Sequence, residues 1–154
     1  MRPGVSPSSE QSFHRENFVA GSYHDHRYYL YVPTSYHSDT PTMLLVMLHG
    51  CTQTPQDFAQ GTGMNSWAEQ RGFLVLYPEQ PRSANPTRCW NWFKPQNQVR
   101  SSGEPALVMG MVRAIDEQYA VDISRIYVAG ISAGASLSVI LAATYPDVFA
   151  AVGV

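Results

Sequence analysis

The reading turns on Ile126-Tyr-Val-Ala-Gly130-Ile-Ser132-Ala-Gly134-Ala135. Arg125-Ile-Tyr-Val-Ala129 is apolar and β-branched, which predicts a strand, while Ser132 to Thr144 has helix-compatible composition with Pro146 at its end. A G-x-S-x-G pattern therefore falls where a strand turns into a helix. In such a bend the serine backbone is forced into a sparsely populated conformation, so its neighbours must be minimal, a demand that Gly130, Gly134 and Ala135 meet. The turn would lift the Ser132 hydroxyl above the sheet as a nucleophile and aim the Ala133 amide at a developing oxyanion. The order is not G-x-G-x-x-G, which argues against a dinucleotide site. Small residues here also tighten any strand-to-helix packing, so the five-residue pattern is not decisive by itself.

Upstream, Thr42-Met-Leu-Leu-Val-Met-Leu48 is an unbroken apolar run, expected where helices cover both faces of a parallel sheet. His49-Gly50-Cys51 follows directly, and the Cys51 amide is the expected second oxyanion donor. His49 itself is expected to hydrogen-bond its own loop rather than to catalyse. Arg27 to Pro33 reads as a strand adjacent to the Thr42–Leu48 strand, and a polar loop follows Gly50. Met64 to Arg71 reads as a short helix closed by Gly72, Phe73 to Tyr77 as a strand, Glu104 to Tyr119 as an amphipathic helix, and Val148 to Val152 as a last strand. Alternating strands and helices predict an α/β fold, three-layered around a mainly parallel sheet, with ligands beyond the strands' carboxyl ends. Glu79 to Gly103 is loop-like and holds Trp90, Trp92 and Phe93, which would either line an apolar substrate cleft or simply pack a long loop.

Composition limits the partners. A chain of 154 residues with 44% hydrophobic residues has enough apolar material for one core. Only 14% of residues are charged and the formal charge is -2, so nucleic acid is not an expected partner. No run approaches the roughly 20 apolar residues of a membrane-spanning helix, and no secretory signal is visible before Val19. Residues 1–18, rich in Pro, Gly and Ser, are expected to form a mobile lead to a domain over 19–154. Cys51 and Cys89 are the only cysteines. They would form either one bridge, worth roughly 4 kcal/mol in the chain-entropy model, or two free core thiols.

Several strings in fixed order are jointly specific: His49-Gly-Cys-Thr-Gln53, Met64-Asn65, Gly72-Phe-Leu-Val-Leu-Tyr-Pro-Glu79, Cys89-Trp-Asn-Trp-Phe93, Gly103-Glu-Pro105 and Tyr127-Val-Ala-Gly-Ile-Ser-Ala-Gly134. From about Tyr28 to Val154 the sequence resembles the polyhydroxybutyrate depolymerase family of esterases. The resemblance implies an α/β-hydrolase fold, hydrolysis of aliphatic esters or polyesters without metal or organic cofactor, and an extracellular setting. Carried over, Ser132 is the nucleophile, Cys51 and Ala133 are the oxyanion donors, and Cys51 with Cys89 is a bridge beside the site. Feruloyl or acetyl esterases of the same fold are the nearest alternative, and a non-catalytic binding module is a more distant one.

The order of the triad in this fold is serine, then acid, then histidine. No histidine follows Ser132, and the sole later carboxylate, Asp147, sits just after Pro146 in a place suited to a turn. The sequence is therefore expected to be an N-terminal portion of a hydrolase, incomplete at the C-terminal side of its sheet and weakly active at most. Its last strand, beside the nucleophile strand, is expected to leave an open edge that promotes self-association.

Overall fold

The computed structural model describes residues 12–19 and 26–154. Along the chain run β1 (Phe13–Phe18), β2 (His26–Tyr31), β3 (Thr42–Leu48), α1 (Pro55–Thr62), α2 (Met64–Arg71), β4 (Leu74–Pro78), α3 (Gly103–Gln118), β5 (Val121–Gly130), α4 (Ala133–Thr144) and β6 (Ala151–Gly153). One six-stranded sheet takes the order β1-β2-β4-β3-β5-β6. The β1–β2 and β2–β4 pairs are antiparallel, and the other three are parallel.

Strand β3 shows why the apolar run has to be continuous. Leu44, Val46 and Leu48 belong to a core with Leu107, Val108 and Met111 of α3 and Leu137 and Leu141 of α4. Met47, with the partly buried Leu45, faces the other way into a second cluster with Phe58 and Ala59 of α1 and Ala68 of α2. A strand alternates its side chains between faces, so helices on both sides leave no solvent position for a polar residue. Each fully buried leucine here contributes about 2 kcal/mol by removal from water.

Four expectations are corrected. Residues 13–18 of the expected lead form β1, whose Phe13 ring packs 5.4 Å from Tyr29 and 5.5 Å from Tyr77; the rest of that lead, residues 1–11, lies outside the described residues. Strand β2 is not next to β3, because β4 is inserted between them, with Tyr31 opposite Val75 and Val75 opposite Leu45. Side-chain period identifies a strand but carries no information about its neighbour. The polar loop after Gly50 contains α1, whose capping box joins Thr54 N to Asp57 Oδ2 (3.1 Å) and Asp57 N to Thr54 Oγ1 (3.2 Å). Finally, β6 begins only at Ala151. Val148 and Phe149 instead turn back onto the Tyr145 carbonyl, and Phe149 is buried in the core.

The chain passes from β3 to β4 in one direction along the sheet, then crosses back over β3 to reach β5 and β6. The β3 and β5 connections consequently leave toward opposite sides of the sheet. In open α/β sheets this reversal point is where ligands bind. The loop after β3 begins at His49, and the bend after β5 contains Ser132.

Candidate active site

Leu48 and Gly130 are register partners at the ends of the parallel strands β3 and β5, and Ile131 N donates to Leu48 O at 3.3 Å. The chain then has to reverse into α4 within two residues. It does so through Ser132, at φ 57° and ψ −121°, a combination that non-glycine residues rarely adopt and that costs of order 1–3 kcal/mol. Such a conformation persists only where the surroundings enforce it, and here they do. A Cβ on Gly130 would overlap the Gly134 carbonyl, and one on Gly134 would overlap the Leu48 carbonyl. Strand and helix therefore approach to backbone contact, and the bend between them leaves Ser132 exposed. The Ala133 amide is among the first N–H groups of α4, which have no intrahelical acceptor.

The β3 loop lies alongside. A Cβ built on Gly50 would sit 3.4 Å from Ser132 Cβ. In this loop the Gly50 amide donates to Gln53 Oε1 (2.8 Å) and the Thr52 amide to Thr87 O (2.7 Å). The Cys51 amide between them has no acceptor among the described residues. Thr52 has φ 64° and Arg88 φ 57°, so positive φ recurs at non-glycine residues next to both cysteines as well as at Ser132. Cys51 and Cys89 are joined in a disulfide with a Cα–Cα distance of 4.2 Å, which decides between the bridge and the two free thiols.

His49 is fully buried, and both ring nitrogens are used. The Gln80 amide donates to Nε2 at 3.0 Å, which puts the ring proton on Nδ1, where it donates to Gly50 O at 2.8 Å. Burial holds the imidazole below the usual histidine range, so this is a neutral ring with both positions occupied by main chain. That arrangement supports the loop and leaves no nitrogen for proton transfer at Ser132.

The three aromatic residues part company. Trp90 is 0% exposed and its indole Nε1–H donates to His49 O at 3.0 Å. It belongs to the core, which corrects its assignment to a substrate cleft; a hydrogen-bonded indole can be buried where the loop folds inward. Trp92 and Phe93 remain on the surface at 40% and 55% exposure, with their rings edge-to-face at 5.9 Å. Ile131, next to the serine, is also exposed.

Asp147 is held by Arg100 through two hydrogen bonds (2.5 and 2.9 Å), and this pairing keeps its carboxyl down at about 2. It lies past the C-terminus of α4, whereas Ser132 lies before the N-terminus, and twelve helical residues separate the two by about 18 Å. No histidine among the described residues after Ser132 exists to serve as base, and His14, His26 and His37 lie on β1, on β2 and before β3. Sequence reasoning also missed a buried polar group behind the disulfide: Gln80, Asn91, Asn97 and Glu104. Its only sequence signal was a carboxylate in the first turn of an amphipathic helix, just ahead of the apolar run Pro105–Val108.

The model of the esterase PHB depolymerase family matches residues 26–154. The chain belongs to that family. Among curated relatives, the poly(3-hydroxyalkanoate) depolymerase C of Paucimonas lemoignei is 40% identical over 78% of this chain and 28% of its own length. The feruloyl esterase B of Neurospora crassa is 37% identical over 81% of this chain and 41% of its own. Acetylxylan esterase A of Emericella nidulans is 38% identical over 80% and 40%. The chain thus spans well under half the length of these relatives. A solved acetyl xylan esterase from Aspergillus awamori superposes with a TM-score of 0.80 at 30% identity, covering 93% of this chain and 52% of that one. The fold is accordingly that of the α/β-hydrolase esterases.

Proposed function

We propose that this chain carries the nucleophile and oxyanion half of a serine ester hydrolase. The observation that carries the reading is Ser132 itself: exposed, at positive φ, and flanked by the Gly50–Cys51 loop. Ser132 Oγ attacks the ester carbonyl, its proton passes to a base, and the alcohol leaves to give an acyl-enzyme that water hydrolyses. The Cys51 and Ala133 amides donate to the tetrahedral oxyanion, and two such donors are worth several kcal/mol of barrier.

The acid and base are supplied from outside the described residues, by further sequence or by a second chain. Turnover by these 154 residues alone is therefore expected to be very low. The substrate is an aliphatic ester or polyester, for which the exposed Trp92, Phe93 and Ile131 offer apolar contact. Acetyl or feruloyl esters on a polysaccharide are the second reading, favoured by the fit to the acetyl xylan esterase. The disulfide fits an oxidising, extracellular setting, and the outer edge of β6, exposed throughout, fits self-association. No helix among the described residues is long and apolar enough to cross a membrane.

The test is covalent labelling with a fluorophosphonate. With the base absent, the oxyanion donors leave slow labelling: a phosphorus–oxygen bond at Ser132, formed faster than at the other exposed serines and lost in Ser132→Ala, is expected, and labelling of Ser132 no faster than of those serines would overturn the assignment. Hydrolysis of p-nitrophenyl acetate, butyrate and feruloyl esters then separates the substrate classes.

A further inference from the structure

Glu104 is a carboxylate set in the interior at 7% exposure, in the first turn of α3. All its hydrogen-bond partners are neutral donors. One oxygen accepts from Asn91 N (2.6 Å) and Asn97 Nδ2 (3.4 Å), and the other from Gln80 Nε2 (2.7 Å). Burial pushes the carboxyl above the usual carboxylate range in spite of these bonds, so the charge costs the fold more than the bonds return.

Gln80 explains what the charge is there to hold. Its Nε2 lies between two acceptors, Glu104 Oε2 and the Cys89 carbonyl (3.1 Å), which fixes the orientation of the amide. Its Oε1 is consequently turned away, and it finds no donor among the described residues. Its main-chain N–H meets His49 Nε2, on the loop that carries Cys51. One residue thus grips the His49 side of the disulfide through its backbone and the Cys89 side through its side chain. Glu104 keeps that side chain in the gripping orientation.

We propose that Glu104, acting through Gln80, is a positioning residue that sets the disulfide and with it the Cys51 amide against Ser132. The proposal rests on the reading of Ser132 as nucleophile and Cys51 as oxyanion donor. Only an acceptor at both oxygens satisfies Asn91 and Gln80 together. With an amide in place of the carboxyl, an NH2 group faces the Gln80 NH2 group. The relief is a flip of Gln80, which satisfies the orphaned Oε1 and takes the donor away from the Cys89 carbonyl. Glu104→Gln therefore releases the disulfide loop while removing a buried charge.

The experiment uses the full 154-residue chain, with amide hydrogen exchange and fluorophosphonate labelling measured in parallel. For Glu104→Gln, the expected melting temperature at pH 7 is equal to or above that of the parent. Exchange of the Thr52 amide, bonded across to Thr87, is expected at least tenfold faster, with the Tyr119 amide unchanged as a distant control. The limiting labelling rate should fall at least tenfold with the half-saturating probe concentration moved less than twofold. A purely structural role would instead lower the melting temperature and both exchange rates' protection together. Gln80→Met, which removes the side-chain half of the grip together with the donor to Glu104 Oε2, should reproduce the Thr52 effect and decides the question if Glu104→Gln fails to fold. Parent-like Thr52 exchange in the folded variants overturns the proposal. If Ser132 of the parent chain is labelled no faster than its other exposed serines, the hydrolase reading falls, and Thr52 exchange by itself decides whether Glu104 orders this loop.

Discussion

The indole of Trp90 and the main-chain carbonyl of His49 are joined by a 3.0 Å hydrogen bond in a fully buried position, with the two rings 5.4 Å apart. This bond crosses from the aromatic loop to the loop beside Ser132, alongside the disulfide, whose Cys51 follows His49 by two residues and whose Cys89 immediately precedes Trp90. Trp90→Phe keeps most of the ring and leaves the carbonyl without its donor. The expected cost is about 1–3 kcal/mol, against about 3–5 kcal/mol for Trp90→Ala, which opens a cavity as well. Urea titration followed by tyrosine fluorescence measures both, and equal midpoints for parent and Trp90→Phe would show that the bond is immaterial.

Reduction of Cys51–Cys89 should destabilise the chain. Closing a loop with a separation of 38 residues removes unfolded-state entropy equivalent to roughly 4 kcal/mol at 25 °C. The paired variant Cys51→Ser/Cys89→Ser is expected to melt at least 10 °C below the parent, and the parent in excess reductant should converge on the same value. A melting point indifferent to reductant would place the constraint elsewhere.

How far the sequence reaches is clearest at these residues. Ser132, Gly130 and Gly134 are legible because the constraint is local: a strand that must become a helix within two residues admits few residue types. Helix α2 is legible for the same reason, since Gly72 ends it at φ 73°. Trp90 was not, because whether an aromatic in a loop turns inward depends on a distant carbonyl. The neighbour of β2 was hidden likewise, as period says nothing of pairing. Helix α1 was overlooked although Thr54-Pro55-Gln56-Asp57 carries a start signal, its polar face masking the buried Phe58 and Ala59.

Two buried groups should give opposite pH dependence. Burial raises Glu104 above its ordinary 4.5, so the native state holds more protons than the unfolded one between 4.5 and the raised value, and its contribution to stability improves as pH falls through that window. Burial lowers His49 below 6.5, so the unfolded state takes up the proton first, and its contribution is lost as pH falls below 6.5. The stability of the parent relative to Glu104→Gln should therefore increase from pH 7 toward 4.5. The parent relative to His49→Gln should lose stability over the range just below 6.5. Denaturant midpoints at half-unit intervals of pH test both signs, and a flat difference for either variant removes that group from the account.

The bend at Ser132 holds a non-glycine residue at φ 57°, ψ −121°, a conformation that costs of order 1–3 kcal/mol. Glycine adopts φ 57°, ψ −121° without the Cβ penalty, so Ser132→Gly should stabilise the fold by about 1 kcal/mol even though glycine gains more freedom on unfolding. Ser132→Ala, which keeps the Cβ, should leave stability within about 0.5 kcal/mol. Both variants are expected to lose fluorophosphonate labelling at this position. The separation between them is what matters: a stabilised Ser132→Gly beside a neutral Ser132→Ala places the cost in the backbone of the bend rather than in the hydroxyl. Equal stabilities for the two would mean that the conformation is unstrained.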